Sequence, residues 1–360
     1  MRVPQIHDTC CLSSECSEGP AFSSVRETAG PSLCSGMTSD KGSAMNLQTS
    51  QTMRNSADAG DAAGVLLRDL IDYAGLFPPA SLAMASSVAN YDTYSQSEWN
   101  WILGRFIVPV ARLGEFEEAF AELPTPTPGT GFANWRLSVL LGSDPVADVA
   151  NIREFNARVT NSGSGRRAVV ESVEVKVASA EEIKRVSGVI PAEYATYFEV
   201  TMSSCAECVA AAAGCGRRAK IRTGGETADK FPASESVIEF IRLCAAASVP
   251  FKATAGLHHP LRSVHRFNYQ PESASGVMHG FVNVFLAAAF LRAGMETGRA
   301  VQLLEEQTAG AFHFDSDGFD WRQHRLRRDE IAAARQNFAV SFGSCSFTEP
   351  IDDLRSLHLL

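Results

Sequence analysis

The sequence predicts an α/β fold, a (β/α)8 TIM-type barrel preceded by a disordered N-terminal extension, and three observations carry that prediction. Short apolar strand-like runs alternate with helix-like segments from residue 62 onward; eight such units fit between residue 70 and about residue 300; and residues 1–60 show no sustained periodicity. Alternating strands and helices argue for a parallel sheet, and eight units of this size argue for closure into a barrel. A doubly wound open sheet is the alternative architecture. Residues 1–60 are rich in Ser, Thr, Gly and Ala, a composition that buries too little apolar surface to offset ordering entropy. They are set aside as an extension, and residues 62–360 are read as one barrel domain that includes a C-terminal helix and tail.

The strands follow in order. "LIDYAGLF" (70–77) precedes "MASSVANYDTYSQ", "GRFIVPV" (104–110) precedes "EFEEAFAEL", and "RLSVLLG" (136–142) precedes "PVADVANIREFNAR". "SVEVKV" (172–177), "TYFEVTM" (196–202), "AKIRTGG" (219–225) and "FKATAG" (251–256) give strands four to seven. "HGFVNVFL" (279–286) is the predicted eighth strand, although residues 280–293 also suit a continuous helix. The tail from "RRDEIAAARQNF" onward reads as a helix, an ordered loop and a short apolar end that packs against the barrel or caps one face.

Composition narrows the function. The chain has 360 residues, 45% hydrophobic and 20% charged, with a formal charge of −9, an ordinary globular composition. That acidic balance argues against nucleic-acid binding, which runs on an excess of lysine and arginine. No apolar run approaches the roughly 20 residues needed to span a bilayer, and "MRVPQIHDTCCLSSECSEGP" has no apolar signal core. The expectation is a cytoplasmic protein without a membrane partner, with a homo-oligomer left open. Of the nine cysteines, Cys205 and Cys208 form a C-x-x-C, but no second ligand pair stands at zinc spacing, so reduced cysteines packed on helices are expected.

The chemistry lies in where the strands put their charges. Side chains alternate across a strand. With Val173, Val175 and Val177 facing the helices, Glu174 and Lys176 face inward; by the same alternation Glu199, then Lys220 and Arg222, then Lys252 share that inner face. A barrel lumen is ordinarily filled with Val, Ile and Leu. Inward charges are costly unless they pair and sit near the wet C-terminal mouth, which is where barrel enzymes carry their active sites. A structural ion-pair network is the competing reading. A desolvated lysine near other cations loses its proton more readily and becomes nucleophilic, so Lys220, flanked by Arg222 and Lys252, is the candidate nucleophile for Schiff-base chemistry on a carbonyl. Glu174 and Glu199 are the candidate proton carriers.

His258 and His259 follow Gly256 in the loop after strand seven. General acid–base work, a share in a metal site with Glu174, Glu199 or His279, and plain backbone hydrogen bonding all remain open for them. Gly224 and Gly225 leave backbone N–H groups free to approach an anion, with Arg222 beside them; ordinary βα turns account for the same glycines. Lys176, Asn283 and Arg105 are placed at the same mouth as further substrate-binding candidates.

"AKIRTGG" followed by "FKATAGLHH" resembles the sixth- and seventh-strand motifs of the 2-deoxyribose-phosphate aldolase family. In that family a K-T-S-T-G strand carries the Schiff-base lysine, and a later F-K-x-x-G-G strand carries a second lysine that lowers its pKa. The resemblance implies that Lys220 is the Schiff-base lysine, that Thr223 and Gly224 stand for the T-G pair, and that Lys252 is the helper. Glu174 occupies the place of a fourth-strand aspartate. Arg222 stands where the family has a small residue, and "LHHP" replaces its G-[IV]-R turn. Taken whole, residues 62–360 resemble a bacterial barrel family with recurring K-I-R-T-G-G and F-K-A-T-A-G-L-H-H-P segments. The expected function is therefore aldolase- or lyase-like lysine chemistry on a small anionic carbonyl compound, a phosphate or a carboxylate, with no cofactor and no metal. A metal-dependent hydrolase or isomerase and a non-catalytic ligand-binding barrel are the alternatives.

Overall fold

The computed structural model describes residues 61–124, 131–132, 134–159 and 167–360; the expected extension at residues 1–60 lies outside them. Eight parallel strands close into a barrel: β1 (Ile71–Tyr73), β2 (Leu103–Pro109), β3 (Asn134–Leu140), β4 (Arg167–Lys176), β5 (Ala195–Glu199), β6 (Arg218–Arg222), β7 (Phe251–Thr254) and β13 (Ala339–Ser344). The order around the barrel is β1-β13-β7-β6-β5-β4-β3-β2. The predicted (β/α)8 architecture is thus the observed one.

Helices cover the outside: α1 (Ala62–Leu67), α2 (Met84–Ser95), α3 (Leu113–Ala121), α4 (Pro145–Val159), α5 (Ala180–Ser187), α6 (Cys205–Gly214) and α7 (Ser234–Ala246). Their starts are written locally. Asp61 accepts from the Gly64 N–H at 2.6 Å, and Ser179 accepts from the Glu182 N–H at 3.3 Å; each satisfies a backbone donor that the first helical turn leaves without a partner. Against them the strands present apolar residues such as Val173, Phe198, Ile221 and Ala253, all buried. Tyr91, Phe106, Phe116 and Trp135 interlock between α2, α3, β2 and β3, with Tyr91 and Trp135 centroids 4.5 Å apart. Among the described residues no helix is long and apolar enough to cross a membrane.

The last quarter of the chain departs from the prediction. Residues 281–292 form a helix, α8 (Phe281–Arg292), and the eighth barrel strand is β13 in the tail. α8 is apolar on every side and buried from Phe281 to Phe290, so it carries neither strand alternation nor an amphipathic stripe to separate the two readings. Between β7 and α8 lies an antiparallel hairpin, β8 (Ser263–Arg266) and β9 (Ser275–Met278). α9 (Thr297–Leu304) is followed by a three-stranded antiparallel sheet, β10 (Phe312–Phe314), β11 (Gly318–Trp321) and β12 (His324–Arg327), and then by α10 (Arg328–Asn337). After β13 the chain ends in α11 (Thr348–Ser356), a helix packed by Ile351 and Leu354.

The lumen is polar. Small hydroxyls replace the usual branched residues: Ser138, Ser172 and Ser341 are fully buried. They leave room for charged side chains: Ser138 donates to Glu174 at 2.7 Å, Ser341 to Asp72 at 2.8 Å, and Ser172 to the Ser138 hydroxyl at 2.8 Å.

Candidate functional site

Register brings the lysines together. Glu199 pairs with Lys220 across β5 and β6, and Lys220 pairs with Lys252 across β6 and β7. Two adjacent ammonium groups on one inner face repel, and the barrel answers with a carboxylate between them. Lys252 Nζ lies 2.7 Å from Glu174 Oε1 and 2.6 Å from Asp72 Oδ2. Lys220 Nζ lies 2.7 Å from Glu174 Oε2 and 2.8 Å from Glu199 Oε2. The Lys220–Glu174 contact is an ion pair whose angle falls outside hydrogen-bond geometry. Arg222 Nε approaches Glu199 Oε1 at 3.3 Å and ends the chain of charges at the surface. The sequence Asp72–Lys252–Glu174–Lys220–Glu199–Arg222 is therefore continuous, and its three anions balance its three cations.

Desolvation and pairing compete at each member. Burial raises the Glu174 carboxyl, but Lys220 and Lys252 outweigh it and hold the group well below the usual carboxylate range. Burial lowers the Lys252 ammonium, yet Asp72 and Glu174 push it above the ordinary lysine value. Lys220 is raised in the same way by Glu174 and Glu199. The expectation that Arg222 and Lys252 loosen the Lys220 proton is therefore reversed in this arrangement. The charge of Lys252 is already engaged by Asp72 and Glu174, and two carboxylates stabilise the ammonium of Lys220.

Access separates the two lysines. A cavity of about 680 Å³ opens at the C-terminal mouth, and Lys220, Glu174 and Glu199 line its floor, whereas Lys252 lies behind them at 1% exposure. Lys176, Arg222, Gly225, His258 and His259 also line this cavity. The hairpin β8–β9 and its connection roof it with Phe267, Tyr269 and Met278. The two histidines turn to acids of the tail: His258 Nδ1 lies 2.8 Å from Glu349 Oε2, and His259 Nδ1 lies 2.5 Å from Asp353 Oδ2.

Five sequence candidates stand elsewhere or act structurally. Arg105 sits near the start of β2 and lines a separate cavity at the N-terminal face, beside Asp69 and Arg136, with its guanidinium 3.4 Å from Glu171. Three residues into its strand, it falls at the wrong end of a parallel barrel for the mouth. Asn283 is buried in α8, where its amide donates to Leu303 O and Glu306 O and its oxygen accepts from the Arg262 N–H. Thr223 is buried and donates its hydroxyl to Ala255 O at 2.7 Å. Gly224 is packed against Gly256: a Cβ on either would stand under 3.0 Å from the other's Cα. These glycines let the loops after β6 and β7 touch backbone to backbone. His279 is buried away from the mouth, 2.8 Å from Pro232 O.

Asp72, Cys345, Tyr269 and Glu349 are site residues that the sequence reading omitted. Asp72 had a signal: the inner face was assigned four cations and two anions, and the lone acid of "LIDYAGLF" supplies a third. Among the described residues no three His, Cys, Asp or Glu side chains gather as a metal-holding set. Cys205 and Cys208 are free thiols packed on α6. A scan against models of protein families gives no match to this chain, and a search of curated proteins finds no similar sequence.

Proposed function

We propose that the mouth of the barrel is the active site of a lysine-dependent carbonyl enzyme of aldolase or lyase type. The observation that carries this reading is the division of labour between two register-paired lysines that share Glu174, one lining the cavity and one buried behind it. Lys220 is the nucleophile. It passes its proton to Glu199, 2.8 Å away, and the free amine attacks the carbonyl carbon of the substrate. The C–N bond forms, the carbonyl oxygen leaves as water after taking up two protons, and the iminium that remains accepts an electron pair when the neighbouring C–C bond breaks. Lys252 keeps Glu174 ionised and in place. Arg222, half-exposed at the rim, meets the phosphate or carboxylate of the substrate, and a substrate anion that draws it away from Glu199 raises the basicity of that carboxylate at the moment a base is needed. The resemblance of "AKIRTGG" and "FKATAGLHH" to the aldolase strand motifs supports the same assignment of Lys220 as the Schiff-base lysine.

The test is reductive trapping. The protein is mixed with small aldehydes and ketones that carry a phosphate or a carboxylate, then reduced with borohydride and mapped by mass spectrometry. The expected result is a stable adduct at Lys220 that disappears in Lys220→Met. No adduct at Lys220 across a broad panel overturns the proposal.

A further inference from the structure

A second constellation stands on the wall of the same cavity and takes no part in the lysine chemistry. Cys345 directly follows β13, at the C-terminal end of a barrel strand, the position from which this architecture presents reactive groups. His258 Nε2 lies 3.7 Å from Cys345 Sγ, while its Nδ1 is held 2.8 Å from Glu349 Oε2. That is a nucleophile, a base and a group that orients the base, drawn from the loop after β7 and from the tail after β13. Tyr269 adds a hydroxyl: it donates to Glu349 at 3.1 Å and stands 3.7 Å from the sulfur. Cys345, His258, Glu349 and Tyr269 all line the cavity.

Cys345 is buried as well, but it alone of the described cysteines lines the cavity. Cys205, Cys208 and Cys244 are packed on helices away from that lining, and burial pushes the Cys205 thiol up to about 11, as expected of inert packed sulfur. The neighbour of His258 behaves as a support. His259 is tied to Asp353 and stacks on His265 with ring centroids 3.2 Å apart, which fixes the loop that aims His258 at Cys345.

We propose that Cys345, His258 and Glu349 form a thiol nucleophile centre for acyl transfer, taking an ester or thioester of a small carboxylic acid bound in the mouth cavity. The sulfur electron pair attacks the acyl carbon and the S–C bond forms, with the thiol proton residing on His258 Nε2. The carbonyl π pair moves to oxygen. The pair returns, the bond to the leaving oxygen or sulfur breaks, and the leaving group departs with the proton from His258. Water then attacks the thioester, gives a proton to His258 and releases the acid, and the sulfur leaves with the electron pair of the broken S–C bond. No redox partner is needed, and Lys220 is not required for any step.

The experiment uses the full chain and 4-nitrophenyl acetate as acyl donor. The expected result is a burst of about one equivalent of nitrophenolate per chain, the fingerprint of an accumulating acyl-enzyme, with the acetyl group mapped to Cys345. His258→Gln slows acylation by about 100-fold, in line with the loss of a positioned base, and Glu349→Gln slows it less while His258 remains. A measurement on the unmutated protein guards against misfolded variants: chloroacetamide should label Cys345 at least about 10-fold faster than the partly exposed Cys215, as an activated thiol does. Acetyl groups spread over surface lysines with none at Cys345, or equal labelling of Cys345 and Cys215, overturn the proposal. Borohydride trapping reads Lys220 alone, so failure of this centre and failure of the lysine reading are told apart.

Discussion

Lys252→Met isolates the energetic core of the mouth. Methionine keeps the length of the side chain and removes the ammonium that lies 2.6 Å from Asp72 and 2.7 Å from Glu174 and over the Tyr197 ring at 5.0 Å. Glu174 retains Lys220 and the Ser138 hydroxyl. Asp72 retains two neutral donors, the Arg105 N–H at 2.7 Å and the Ser341 hydroxyl at 2.8 Å, but loses the cation at its side. The cost therefore falls mainly on a fully buried carboxylate left without its counter-charge. Breaking a buried pair from one side typically costs about 3–5 kcal/mol. At roughly 2 °C per kcal/mol for a chain of this size, Tm should drop by about 6–10 °C. Differential scanning calorimetry and urea unfolding measure it. The double variant Lys252→Met with Asp72→Asn removes the stranded charge and should recover at least about 2 kcal/mol of the loss, a coupling of the size contacting pairs show. A single variant that loses less than about 1 kcal/mol, or a double variant no more stable than the single, would refute the view that these charges hold one another in place.

Three other outcomes follow from the geometry. Gly256→Ala should cost about 2–3 kcal/mol by urea midpoint, because φ is +71° and the new Cβ meets the Gly224 Cα at 2.8 Å and Phe231 at 2.7 Å. Asn283→Ala should cost about 2–4 kcal/mol by the same measurement, since it strips hydrogen bonds from Leu303 O, Glu306 O and the Arg262 N–H. His258 faces Glu349, Cys345, Tyr269 and His259. Burial works to lower its imidazole, and its hydrogen bonds to Cys345 and Glu349 outweigh that and raise it to about 10 from an ordinary 6.5. A raised basic group stabilises the fold fully below its unfolded value and ceases to do so above its folded one. Stability should accordingly decline from about pH 6.5 to about pH 10, and His258→Gln should flatten that part of the profile; an unchanged slope removes the imidazolium from the account.

The charges were legible because strand alternation is a strong rule. Val173, Val175 and Val177 fixed the outer face of β4, so Glu174 had to point inward, and the same logic placed Glu199, Lys220 and Lys252. Asp72 escaped for want of alternation: Ile71, Asp72 and Tyr73 are all buried, and a three-residue strand shows no period. The eighth strand escaped for a related reason. α8 is buried all round and imitates a core strand, whereas the true strand "AVSFGS" lies beyond an antiparallel insert that breaks the βα rhythm. Arg105 and Asn283 were misplaced because residue type was used without position: one lies too early in its strand, and the other serves the hydrogen-bonding of a helix end. Cys345, Tyr269 and Glu349 meet His258 only through the tail and the hairpin, and no local pattern announces such a meeting.

The seat of β13 between β1 and β7 has a consequence for the making of the protein. Ser341 and Asp72, joined by a hydrogen bond, are separated by 269 positions in the chain. At synthesis rates of about 5–20 residues per second, β1 leaves the ribosome roughly 15–50 s before its partner. β7 follows much later, 89 positions before Ser341 (341 − 252), so for roughly the last 4–18 s β1 and β7 each have one unpaired parallel edge, the kind of surface that recruits foreign strands, and Lys252 and Asp72 lack the strand that stands between them in the closed ring. The hazard in this molecule is thus one of timing. A stop or a slow stretch upstream of residue 339 prolongs the open ring.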